Sequence, residues 1–91
     1  MTVKAYLMCK VSSGNEREAC MKIAEFVNVL EASIIYGEYD LIVKLQAQDL
    51  EQLDFVTEEI RRSIPSIILT STMIVAREYK GKMNRNPKIL K

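Results

Sequence analysis

Residues 33–48 constrain the fold most, because they contain two short apolar segments on either side of a sequence that favours chain reversal. The segments Ser33–Tyr36 and Leu41–Ala47 are rich in β-branched and aromatic residues and are too short for helices. Between them, Gly37 and Asp40 tolerate the backbone conformations that a reversal requires. The pattern predicts a β-hairpin. Alternation along its second strand puts Leu41, Val43 and Leu45 on one face and Ile42, Lys44 and Gln46 on the other.

The rest of the chain predicts two amphipathic helices and two further strands. Alternating apolar residues are typical of a strand, whereas apolar residues three or four positions apart after a capping sequence indicate a helix. Pro65 cannot continue a helix, so the second helix must end before it. The predicted strands are Val3–Val11 and Ile67 to about Tyr79, and the predicted helices run from Ser13 to about Leu30 and from Asp49 to about Ser63.

The resulting order β-α-β-β-α-β predicts an α+β, ferredoxin-like domain of the dimeric α/β barrel type. In this fold an antiparallel four-stranded sheet carries two helices on one face, and the other face stays bare. An exposed, partly apolar sheet face usually marks an interaction surface, so we expect a homodimer that packs sheet on sheet and can extend to larger rings. The predicted oligomer interface contains Tyr6, Met8, Ile42, Lys44 and Met73.

The 91 residues allow one domain, and a domain of this size has a core that benefits from self-association. The chain lacks the run of roughly 18 apolar residues that spans a bilayer, and it lacks the pattern of a secretory signal, so we expect no membrane partner and a cytoplasmic location.

We predict a domain over residues 1–79 and a basic C-terminal tail over residues 80–91. The tail is either solvated or lies on an acidic neighbouring subunit or on nucleic acid.

The sequence lacks the residues that several functional classes of this fold require. An acylphosphatase requires an arginine-bearing phosphate loop after the first strand, a metal chaperone requires Cys-x-x-Cys there, and an RNA-recognition domain requires aromatic residues on its central strands. The sequence has no histidine and no nucleophile beside an evident base. We therefore predict no catalytic residue, no metal site and no cofactor. Cys9 and Cys20 are predicted to be small buried residues, with a disulfide between them left open.

Two stretches carry a resemblance to a known family, N-V-L-E-A-S-I-I-Y-G-E-Y-D-L-I-V-K-L at 28–45 and I-P-S-I-I-L-T-S-T-M-I-V at 64–75. Their most specific elements are the Gly-x-Tyr-Asp turn that begins at Gly37 and the Thr-x-Thr of the last strand. The chain resembles the ligand-binding (RAM) domain of the Lrp/AsnC transcription regulators over about four-fifths of its length. One departure is Ser66, where the family most often has glycine.

The resemblance implies a non-enzymatic module that binds a free amino acid or related small metabolite and assembles into oligomers. The implied ligand-binding residues are Gly37, Glu38, Tyr39, Asp40, Thr70, Ser71 and Thr72. Typical members begin with a helix-turn-helix, which this sequence does not show, so no direct sequence-specific DNA binding is expected. A role in transcription regulation would then run through partners such as full-length Lrp/AsnC regulators.

Three alternatives stay open at this point. An ACT-type regulatory domain has the same element order and also binds amino acids, although Gly14 lacks the Asp-x-Pro that usually precedes the ACT glycine. A dimeric α/β-barrel enzyme shares the architecture. Nucleic-acid binding through the basic tail predicts an affinity that falls steeply with salt.

Overall fold

The computed structural model describes residues 2–85, which fold in the predicted order β-α-β-β-α-β and add one short helix at the end. The strands are β1 (Val3–Val11), β2 (Val29–Ile34), β3 (Leu41–Ala47) and β4 (Ile67–Ile74), and the helices are α1 (Glu16–Ile23), α2 (Leu50–Ser63) and α3 (Lys82–Arg85). Within this part of the chain, no helix has the length and apolar character needed to cross a membrane. The ferredoxin-like fold is confirmed, while residues 86–91 of the predicted tail lie outside the described residues.

The four strands form one antiparallel sheet in the order β2-β3-β1-β4. Leu7 of β1 is directly opposite Val43 on one side and Thr72 on the other, whereas its neighbour Tyr6 is opposite Lys44 and Met73. Directly paired residues share a face of the sheet. This register therefore assigns every residue of the three strands to either the helix side or the open side.

The hydrophobic core lies between the sheet and the helices. Its members alternate along β1 and β3 and follow a helical stripe on α2, as the sequence pattern predicts. The buried core residues are Ala5, Leu7, Cys9, Val11, Ala19, Ile23, Leu41, Val43, Leu45, Ala47, Leu53, Val56, Ile60 and Ile64. Because α1 packs on β2 and β3 while α2 packs on β3 and β1, the helix side of β4 is left largely uncovered.

The predicted start of α2 is confirmed by a capping box. The carboxylate of Asp49 accepts a hydrogen bond from the Gln52 amide at 2.8 Å, and the Gln52 side chain accepts one from the Gln48 amide at 2.7 Å. These bonds satisfy donors that a helix start leaves without partners. The helix ends at Ser63, and Ile64 leaves the helical conformation before Pro65, as predicted.

Helix α1 is shorter than predicted at both ends. It begins at Glu16 instead of Ser13, with Asn15 at the N-cap and no side-chain capping bond, and it ends at Ile23, after which the chain passes through turns to β2. Asn28 explains the early end. Its carbonyl accepts a hydrogen bond from the Gln46 amide at 2.9 Å, and its side chain donates one to the Gln46 carbonyl at 2.9 Å. Since these bonds join Asn28 to the end of β3, Val29 and Leu30 enter the sheet instead of extending the helix. The prediction of a helix to Leu30 was wrong.

Strand β4 also ends earlier than predicted, at Ile74 instead of Tyr79. The Val75 amide still donates to the Lys4 carbonyl at 2.9 Å, and the chain then turns onto the open face of the sheet. There Glu78 forms ion pairs with Lys4 and Lys44, which hold residues 75–79 against the sheet. We call residues 75–79 the C-terminal arm.

Candidate functional site

The connection between β2 and β3, residues 35–40, is fixed to the end of β1 through Asp40. The Asp40 amide donates to the Cys9 carbonyl, the Val11 amide donates to the Asp40 carboxylate, and the Ile35 amide donates to the Asp40 carbonyl, each at 2.9 Å. Asp40 is therefore a structural residue of the loop. Its second carboxylate oxygen, Oδ1, accepts no hydrogen bond from the part of the chain that the structure describes.

The central residues of this loop, 36–38, are exposed. Gly37 has a φ of +151°, a conformation that side-chain-bearing residues rarely adopt, and Tyr36 is fully exposed. Within residues 2–85, the amides at 37–39 donate to no acceptor. Successive unpartnered N–H groups without bulky side chains suit a carboxylate or another small anion.

The hydroxyl residues predicted on the last strand are divided between the two faces of the sheet. Thr70 and Thr72 pair with Cys9 and Leu7 and therefore lie on the helix side, whereas Ser71 pairs with Met8 and lies on the open side. The structure thus places the two threonines together along the uncovered helix side of β4. It separates them from Ser71.

Thr70 borders a groove of about 430 Å³ between β4 and the last turns of α2. Glu58, Arg61 and Arg62 form its helix wall, and an ion pair of 3.2 Å joins Glu58 to Arg61. Thr72 borders a smaller space of about 190 Å³ beside Asp54 and Thr57. Sequence reasoning did not single out the two arginines, although a basic pair in the last turn before Pro65 is a visible signal.

One chain does not bring the loop and the threonines into a single pocket. Leu41, which follows Asp40, is opposite Cys9, and Cys9 is opposite Thr70. The start of β3 and Thr70 are therefore two strand spacings apart, about 10 Å. Strand β1 thus separates the loop from Thr70 within one chain.

The open face of the sheet collects all five residues of the predicted interface. Lys44, Tyr6 and Met73 form one row across β3, β1 and β4, and Ile42 and Met8 belong to the next. The Lys44 ammonium lies 5.9 Å from the centre of the Tyr6 ring, within reach of a cation–π interaction. The shared face agrees with the prediction, while its role as an interface stays a prediction.

At one end of the open face, Lys4 and Lys44 hold Glu78 of the C-terminal arm, and the Lys80 ammonium lies 4.0 Å from one of its carboxylate oxygens. Lys4 donates to one carboxylate oxygen at 2.9 Å and Lys44 donates to the other at 3.2 Å. These bonds lower the pKa of Glu78 from 4.5 to about 2, with Lys4 the larger contributor, and the bond to Glu78 raises the pKa of Lys44. No sequence pattern indicated this cluster, because Lys4 and Glu78 are 74 positions apart in the chain.

Both cysteines are free thiols. Burial in the core, with a smaller contribution from Cys20, raises the pKa of Cys9 to about 11. Burial also raises the pKa of Cys20, which is half-buried on α1. A thiol with a raised pKa is a poor nucleophile at neutral pH.

Comparison with known proteins identifies the family of this domain. The family model of the Lrp/AsnC ligand binding domain matches residues 4–84. The HTH-type transcriptional regulator FL11 of Pyrococcus horikoshii is 32% identical over 76 residues, which cover 84% of this chain and 50% of the regulator. The chain thus spans about half the length of the curated relatives it matches.

Solved structures show the same fold. The hypothetical protein PHS023 from Pyrococcus horikoshii has 45% identity and a TM-score of 0.74, with 85% of this chain and 93% of that chain covered. E. coli AsnC has 22% identity and a TM-score of 0.80, with 88% and 54% covered. The Neisseria meningitidis regulator NMB0573, solved as a complex with L-Met, has 16% identity and a TM-score of 0.76, with 91% and 58% covered. The chain belongs to the Lrp/AsnC ligand-binding domain family.

Proposed function

We propose that this chain binds a free amino acid or a related small metabolite and self-associates, without catalysing a reaction, as an effector module of transcription regulation in the cytoplasm. The observation that carries this proposal is the match of the Lrp/AsnC ligand-binding domain to residues 4–84. The L-Met complex of the Neisseria meningitidis regulator supports the capacity of this fold to hold an amino acid.

The chemistry of the loop fits both charged ends of an amino acid. The amides at 37–39 are available for the α-carboxylate, and the free oxygen of Asp40 is available for the α-ammonium. Glu38 and Tyr39 flank these groups as the adjoining wall. The amino acid thus contacts the loop through its backbone groups, and its side chain is left to the rest of the pocket.

The remaining walls come from a second chain. Thr70 and Thr72 lie too far from the loop of their own chain, whereas β4 of a neighbouring copy can bring its hydroxyl groups to the same ligand. Ser71 lies on the open face, so it contributes from the sheet side. Ligand binding and assembly are therefore coupled, since the pocket is complete only in the oligomer.

Self-association uses the open face of the sheet in a homodimer, which forms larger rings through further contacts. Tyr6, Met8, Ile42 and Met73 provide the apolar centre of this face, and Lys44 borders it. In this proposal the effect on transcription runs through partners such as full-length Lrp/AsnC regulators.

The experiment is a thermal unfolding screen of the size-defined oligomer against the twenty amino acids. A ligand that binds only the folded state adds about 2.7 kcal/mol at one hundred times its dissociation constant. For a domain of this size, that increment raises the melting temperature by roughly 10 °C or more. Mass spectrometry of the recovered amino acid should show it unchanged, and a chemical conversion would contradict the non-enzymatic proposal.

Asp40→Asn is the informative variant, because asparagine keeps an acceptor for the Val11 amide and removes only the charge. We expect it to fold and to lose the ligand-dependent shift. Glu25→Gln, an exposed substitution beyond α1, is the matched control and should keep the shift. An amino acid that stabilises wild type and Asp40→Asn equally would contradict the assignment of Asp40, and no shift with any amino acid would contradict the ligand class.

A further inference from the structure

The C-terminal arm places a carboxylate between two lysines at the border of the apolar centre of the open face. Lys4 comes from β1 and Lys44 from β3, and each binds a different oxygen of Glu78. The side chains of Lys4, Lys44 and Glu78 are 31%, 21% and 29% exposed, so all three already lie mostly against the protein. The arm thus packs on the sheet face through specific hydrogen bonds.

The two lysines create a problem for any contact that buries this face. Lys44 is beside Tyr6 in the row that also holds Met73, so a molecule that covers these apolar side chains also removes water from the lysine. An ammonium that loses water without gaining a counter-charge is strongly unfavourable. Glu78 provides that counter-charge from the same chain through direct bonds to both lysines, and Glu31, opposite Lys44 on β2, adds a smaller contribution.

The need for a counter-charge is greater when the contact is between two identical copies. In a twofold contact the same patch of both subunits meets, so every unpaired charge enters the interface twice. Two copies without Glu78 would bring four like-charged lysines to one interface, two from each copy. With Glu78 in place, each pair of lysines is partly neutralised before the copies meet.

We propose that the C-terminal arm is part of the self-association surface, and that Glu78 neutralises Lys4 and Lys44 so that the open face can be buried against a second copy of this chain. The inference rests on the self-association proposed above and assigns to the arm a role in it. In the dimer the arm of each subunit stays on its own sheet, where Glu78 neutralises the two lysines. The arm does not have to be displaced before the subunits associate.

The test measures the dimer dissociation constant by analytical ultracentrifugation at low and high salt. Glu78→Gln keeps the shape of the side chain and removes its charge, and it should weaken the dimer about tenfold or more. The triple variant Lys4→Gln, Lys44→Gln, Glu78→Gln removes the three hydrogen-bonded charges and leaves only Lys80, whose side chain is 58% exposed. It should return the dissociation constant to within about threefold of wild type. Glu59→Gln, which breaks an ion pair of similar length with Arg62 on α2, is the control and should change nothing.

Circular dichroism of each variant checks that the fold is kept. An unchanged dissociation constant for Glu78→Gln would overturn the inference and leave self-association standing. A tighter dimer would overturn it as well, because the arm would then compete with the second copy. A wild-type chain that stays monomeric at all concentrations would overturn both the inference and the proposed self-association, while ligand binding is tested separately by the thermal screen.

Discussion

Replacing Asp40 by alanine tests whether this residue holds the loop to the sheet. The substitution removes the carboxylate that accepts the Val11 amide at 2.9 Å. Val11 is 5% exposed, so water has little access to replace the lost acceptor. A buried donor left without a partner costs about 1–3 kcal/mol, and bonds to charged acceptors lie in the upper part of that range. We therefore expect Asp40→Ala to lower the free energy of unfolding by about 2 kcal/mol.

The assay is urea and thermal unfolding at neutral pH, with all variants at one protein concentration because assembly also contributes to stability. For a domain of this size, a loss of 2 kcal/mol corresponds to a fall in melting temperature of roughly 8–16 °C. Asp40→Asn keeps an acceptor and should lose less than half as much. If Asp40→Ala stays within about 0.5 kcal/mol of wild type, as is usual for surface substitutions, the carboxylate does not hold the strand and the reasoning is refuted.

Three further predictions concern the backbone, the core and the C-terminal arm. Gly37→Ala should destabilise the fold by about 1 kcal/mol because of its positive φ alone, while Gly81→Ala should have no effect; equal melting temperatures for the two variants would count against the strain. Ile60→Ala should cost about 2–5 kcal/mol in urea unfolding because the side chain is fully buried, whereas Leu50→Ala, at a site 58% exposed, should cost far less. The pKa of Glu78 is lowered from 4.5 to about 2, so its contribution to stability is complete above pH 4.5 and disappears as the pH falls towards 2. The difference between the urea midpoints of wild type and Glu78→Gln should shrink over that pH range, and a constant difference would contradict the ion pairs.

The sequence predicted the elements whose patterns depend on local periodicity. The alternation in β1 and β3 identified the core side of both strands, and the Asp49 cap with the Pro65 stop gave both ends of α2. Each of these signals is contained within a few neighbouring residues. These predictions were confirmed, because tertiary contacts agree with the local signals. The capping sequence at Ser13, which is equally local, was wrong about the start of α1.

The other errors arose where distant residues decide the structure. Apolar spacing continues past Ile23, but hydrogen bonds between Asn28 and Gln46 turn the chain into the sheet. The alternation of the last strand likewise continues past Ile74, but the lysines on two other strands draw Glu78 onto the open face. In both cases the residues that contact each other are far apart in the sequence, so no local pattern shows the contact.

The candidate site was predictable in its residue types more than in its arrangement. The Gly-x-Tyr-Asp sequence identified an accessible loop, yet the bond from Val11 to Asp40 depends on where β1 ends. The division of Thr70 and Ser71 between opposite faces follows from strand parity, whereas the arginine-lined groove beside Thr70 depends on how α2 lies beside β4.

The central position of β1 has a consequence for how the chain is made. Although β1 is synthesised first, both strands that flank it follow much later, since Leu7 pairs with Val43 and with Thr72. Such long-range pairings make folding slow, because the chain loses loop entropy before the contacts form. A nascent chain that has not yet passed Ile74 therefore exposes one edge of β1, and a chain truncated there should aggregate instead of folding.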